Sequence, residues 1–147
     1  MKDVLVPSLI WKSNEILNPW ELSAAMNDAM DRAIALDDFE ERKQALASLN
    51  KTIAARNEAS IRECDSVVAV LDGQEIDSGV AAEVGFAYGI GKRILGYRSD
   101  LRQAGENVAC RFNMQVQFFI ENSGGIVVTS LSELGRYLSQ STHDKRN

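Results

Sequence analysis

Histidine is nearly missing from this sequence: one occurs in 147 residues, His143, inside the polar terminal run STHDKRN. That excludes a Ser/His/Asp relay and a histidine-rich metal site. Cysteine is scarce as well. Cys64 and Cys110 are too few for a disulfide framework and lack metal-ligand spacing, so both are read as reduced packing residues in helical surroundings. Nor is there an excess of positive charge. With 16 Lys and Arg against 21 Asp and Glu, the net charge is −5, and no basic stripe exists to hold a nucleic-acid polymer. No apolar run approaches a membrane span, and MKDVLVPSLIW is too short in apolar residues for a signal peptide, so a cytoplasmic location is expected. Acid–base or nucleophilic chemistry, if present, falls to carboxylates.

What remains is the composition of an ordinary globular protein, 45% hydrophobic and 25% charged. Its length fits one domain over residues 1–140, with 141–147 as a polar tail. DVLVPS reads as a short buried strand ended by Pro7. NPWELSAAMNDAMDRAIAL and DDFEERKQALASLNKTIAARNEASIREC read as two helices, the second with a break near Arg56–Asn57. The pattern then changes. SVVAVLDG, from Ser66, is a continuous β-branched run suited to a parallel strand covered on both faces. A helix follows, capped by Asp77 or Ser78 and stopped at Gly91. RILGY and IVVTS supply two more strands, RFNMQVQFFIENSGG a helix, and LSELGRYLSQ a closing helix capped by Ser130. The order β-α-α-β-α-β-α-β-α predicts an α/β protein with a parallel sheet of about four strands and helices on both faces. Ligands of such sheets sit at the carboxyl ends of strands, which directs attention to Asp72, Asp77 and the helix beyond.

Glu83 stands in that helix beside Val84 and Phe86, six residues after Asp77. A partly desolvated carboxylate there can act as a nucleophile at a sugar carbon. The plainer reading makes Glu83 an exposed helix residue and Asp77 a cap. Residues alone leave both open. Gly85 and Gly89 suit close helix–sheet packing better than a phosphate cradle, since no G-x-G-x-x-G or Walker lysine is present. Phe118 and Phe119 suit the core on one side and a pocket or subunit contact on the other; Trp11 and Trp20 flank a loop that either forms a lid or is simply anchored.

The stretch CDSVVAVLDGQEIDSGVAAEVGFAYGIGKRILGYRSD resembles the nucleoside 2-deoxyribosyltransferase family in its Asp-led hydrophobic strand, its D-S-G-x-x-x-E element and the following G-x-A-x-x-x-G-K. The likeness is good over residues 57–130. It implies a flavodoxin-like fold, no metal or cofactor, and base exchange on a nucleoside by a ping-pong, retaining route. Glu83 falls at the family's nucleophile and Asp77 at the acid beside the base. Asp72, Ser78 and Gly79 fall at the substrate edge. Asn57 replaces a base-contacting Asp, and an amide donates as well as accepts, which leaves base preference open. Asn113 falls where an Asn reaches a neighbouring subunit's site, so a homo-oligomer is expected, with a nucleoside donor and a free nucleobase acceptor as partners. The family's opening strand and helix have no counterpart here, so discrimination at the 2′ position is expected to relax and admit ribonucleosides. Two rivals stay open: an N-glycoside hydrolase acting on nucleosides or their 5′-monophosphates, and a noncatalytic nucleotide sensor.

Overall fold

The computed structural model describes residues 8–12, 15–17 and 24–141. The chain enters the sheet as an antiparallel ribbon, β1 (Ser8–Lys12) and β2 (Glu15–Leu17). α1 (Ala24–Ile34) and α2 (Phe39–Glu63) follow, then β3 (Ser66–Val70), α3 (Ser78–Gly89), β4 (Arg93–Tyr97), α4 (Met114–Asn122), β5 (Val127–Val128) and α5 (Leu131–Ser141). The sheet order is β2-β1-β3-β4-β5. β3, β4 and β5 are parallel, with Val68 opposite Leu95 and Tyr97 opposite Val128.

The α/β class is as the pattern predicts; among the described residues the sheet has five strands rather than about four, and β1 runs antiparallel to β3. Within β1, which begins at Ser8, Trp11 pairs opposite Ser66 rather than flanking a loop. The aromatic and branched residues of SLIWK and EIL suit a pleated ribbon. The expected strand core Val4–Val6, Trp20 and His143 lie outside the described residues.

α2 runs for 25 residues with no break at Arg56–Asn57, because FEERKQALASLNKTIAARNEASIRE contains neither Gly nor Pro and is rich in helix formers. Asp38 caps it by accepting from the Glu41 N–H at 2.8 Å, and Glu40 and Glu41 favour the positive end of the helix dipole. At its other end Lys92 Nζ donates to the carbonyls of Arg62 and Cys64, at 2.7 and 2.8 Å.

Strand alternation divides the core. Val67, Ala69 and Leu71 meet Ile61 of α2, Val80, Val84 and Ala87 of α3, and Val116 and Ile120 of α4. Val68, Leu95 and Val128 meet Leu134 of α5 on the opposite face. Each buried Val, Leu or Ile contributes roughly 1.5–3 kcal/mol, which makes this two-sided sandwich the main support of the fold. Cys64 is buried at the end of α2, its thiol donating to the Ile61 carbonyl at 3.1 Å, and burial pushes its pKa up. Cys110 lies half-buried in the β4–α4 connection, not in a helix. Gly85 and Gly89 do not pack on the sheet: Gly85 faces the Phe119 ring of α4 and Gly89 faces open space. The close approach occurs instead at Gly125, where a Cβ would collide with the Ile94 carbonyl oxygen.

Candidate active site

α3 begins at Asp77 because that carboxylate caps it. Oδ1 accepts from the N–H groups of Gly79 and Val80, at 2.8 and 3.1 Å. Gly79 fits the cap closely, since a Cβ there would lie 2.9 Å from Asp77 Oδ1. Asp77, Ser78 and Gly79 are all exposed, at the carboxyl edge of the sheet. One oxygen of Asp77 is thus committed to the helix.

Glu83 follows in the next turns of α3 and is half-buried where α3 packs on α2. Asn57 of α2, also half-buried, donates its side-chain amide to Glu83 Oε1 at 3.3 Å. One turn farther along the same seam the Arg62 guanidinium lies over the Phe86 ring, 4.9 Å from its centroid. Glu83 is therefore held between helices rather than being a freely exposed helix residue.

The other flank of α3 is different. Ala81 and Glu83 are two residues apart, about 200° around the helix axis, so they point to opposite sides. Ala81 lines a cleft of ≈ 380 Å³ together with Gln74, Glu106, Phe112, Asn113 and Val116. Asn113 caps α4, its Oδ1 accepting from the N–H groups of Gln115 and Val116, both at 3.1 Å. Its Nδ2 donates to Glu106 Oε1 at 3.0 Å, while Glu106 Oε2 accepts from the Met114 N–H at 2.8 Å. Of the residues singled out from the sequence, one chain thus joins Asn57 to Glu83, sets Asp77, Ser78 and Gly79 at the start of the same helix, and keeps Asn113 on the far flank. Asp72 binds the segment after β4, accepting from the N–H groups of Ser99 and Asp100 at 2.7 and 2.9 Å.

Two residues at this edge escaped the sequence reading. Arg98 is fully buried just beyond β4, donating to the carbonyl oxygens of Leu71 and Arg102, with its guanidinium 5.8 Å from the centre of the Phe112 ring. Its place directly after a β-strand at the ligand edge was the available signal. Glu106 left no signal, since only the folded loop brings it to the α4 cap. Among the described residues no group of three or more His, Cys, Asp or Glu could hold a metal ion, and no helix is long and apolar enough to cross a membrane.

This geometry can be set beside known proteins. No curated protein matches the chain. A crystal structure of a conserved protein from Enterococcus faecalis V583 is 30% identical, with 62% of this chain and 65% of that chain covered and a TM-score of 0.54. The chain therefore spans 65% of that relative's length. A 2-desoxiribosyltransferase from Leishmania mexicana is 25% identical, with 60% of this chain and 67% of that chain covered and a TM-score of 0.48. The model of the nucleoside 2-deoxyribosyltransferase family matches residues 9–129, most of the sequence, and on that extent the chain belongs to the nucleoside 2-deoxyribosyltransferase family.

Proposed function

We propose that the protein exchanges the nucleobase of a (2-deoxy)ribonucleoside through a covalent glycosyl ester on Glu83, as a cytoplasmic enzyme that needs no metal or cofactor. The observation that carries this reading is the placement of Glu83: half-buried, anchored by Asn57, and on the helix whose first turn opens at the carboxyl edge of the sheet. In the first half-reaction a Glu83 oxygen bonds to the anomeric carbon as the C–N bond breaks, and that electron pair leaves with the base. Asp77, through Oδ2 and directly or by way of a water, helps deliver the proton the base takes up. Ser78 and Gly79 border the sugar. A second base then attacks the anomeric carbon of the ester, the C–O bond to Glu83 breaks and returns the carboxylate, and the base loses a proton to the same edge. Two inversions give net retention. Asn113 faces away from Glu83 in its own chain, which supports its serving the site of a second copy in a homo-oligomer.

Chromatography of deoxyinosine and adenine incubated with enzyme tests the proposal. Deoxyadenosine formed by the wild type and not by Glu83→Ala supports it. Free hypoxanthine without deoxyadenosine would identify a hydrolase instead. Parallel assays with inosine read the expected tolerance of ribose.

A further inference from the structure

We infer that Asn57 is a positioning residue for the nucleophile, clamping one oxygen of Glu83 so that the other meets the sugar. This rests on the proposed role of Glu83 and adds to it. An ionised carboxylate only accepts hydrogen bonds, so the side-chain nitrogen of Asn57, and not its oxygen, must face Glu83. The 3.3 Å contact from Nδ2 to Oε1 thereby fixes the amide's orientation, and Oε2 is taken as the attacking oxygen. The clamp is rigid for a reason visible in α2. Ile61, one turn beyond Asn57 on the same face, is 3% exposed in the core shared with Val80 and Val84 of α3. Helix α2 has no break between these positions, so the amide and the carboxylate are registered by packing.

The bond serves both half-reactions. During attack it restricts rotation of the carboxylate, so the attacking oxygen is presented without a further entropic cost. In the glycosyl ester, Oε1 becomes the carbonyl oxygen and still accepts from the amide. When the acceptor base displaces the ester, the same N–H stabilises the carboxylate that leaves, because a bond to a charged acceptor is stronger than one to a neutral acceptor. A carboxylate at position 57 could do none of this while ionised, and it would repel Glu83.

Single-turnover and steady-state kinetics of Asn57 variants test the inference. Asn57→Ala should lower kcat by about ten-fold or more, the scale of a lost bond to a charged group, while KM for the acceptor base changes by less than about two-fold. Asn57→Gln, which keeps the amide donor, should recover part of that loss. Asn57→Asp should fall below Asn57→Ala. A role confined to touching the base predicts the reverse: activity retained in Asn57→Asp, with altered base KM and base preference. Asn57→Asp turning over at least as fast as Asn57→Ala, or a raised base KM with unchanged kcat, overturns the clamp. Glu83→Gln separates the two claims. If it is inactive while Asn57→Asp is near wild type, the clamp fails and the glycosyl-Glu83 reading stands; if Glu83→Gln is fully active, that reading itself fails.

Discussion

Asp72 and Ser99 join the exits of two neighbouring parallel strands: the carboxylate accepts the Ser99 backbone N–H at 2.7 Å and its hydroxyl at 2.9 Å. A third bond comes from the Asp100 N–H at 2.9 Å. Three donors on one carboxylate make Asp72 a staple for the loop that leads to the α4 cap. Asp72→Ala should therefore cost stability on the order of 1–3 kcal/mol, as expected for stranded backbone donors at a partly buried site. Urea denaturation would show a lower midpoint at unchanged slope. An unchanged midpoint would mean that solvent replaces all three bonds.

Arg98 holds the same edge from below. Its Nε makes no hydrogen bond among the described residues, and its two terminal nitrogens reach the carbonyls of Leu71 and Arg102. Arg98→Met keeps apolar bulk against Phe112 and removes both donors. The expected loss is about 2–4 kcal/mol, from two stranded carbonyls and imperfect packing. Arg98→Lys should recover only part, because a single ammonium lacks the planar fork. Equal stability of the Met variant and wild type in thermal melts would contradict this account.

These two residues also mark what was legible in the sequence. The β-branched run at Ser66–Val70 and the Asp77 cap are local signals, and the structure keeps both. Glu83 could be singled out by motif, but its contact with Asn57 spans 26 positions and arises only when α2 packs on α3. The antiparallel ribbon was illegible for a related reason: strand direction is set by pairing partners, and SLIWK has the same apolar pattern in either direction. Asn113 read as part of a helix although its cap is local, its Oδ1 accepting from the Gln115 and Val116 N–H groups; only the added bond from the Met114 N–H to Glu106 depends on the folded loop.

Acid should act on the loop between β4 and α4. The Arg102 guanidinium, donating from Nε to both Asp100 oxygens at 2.9 and 3.0 Å, and the Arg102 N–H hold the Asp100 carboxyl well below the usual carboxylate range. A carboxylate with a depressed folded pKa stabilises the fold above its unfolded value near 3.9, and that contribution is lost as pH falls toward the folded value. The Asp100 side chain is mostly covered but Arg102 is exposed to solvent, so the effect is modest and weakened by salt. Asp100→Asn should destabilise slightly at pH 7, and the gap from wild type should close as the pH falls below about 4. Melting curves over that range at low ionic strength check it, and a gap that widens in acid would reverse the sign argued here.

The opposite flanks of α3 give the strongest test of assembly. If Asn113 completes a site whose Glu83 belongs to another copy, then neither Glu83→Ala nor an Asn113 variant alone is active, yet a mixture can be. Asn113→Ser suits the purpose, because serine is also a good N-cap and the start of α4 is preserved. In a mixed dimer, one site carries both lesions and the other carries none. Equal amounts of the two variants, randomly reassorted after mild dissociation, form mixed dimers half the time, so about a quarter of all sites regain both native residues. Base exchange should rise from near zero to roughly a quarter of the wild-type value per site. Mixing without any gain, while exchange of subunits is verified by mass spectrometry, would place Asn113 outside the neighbouring site and return it to its role as the cap of α4.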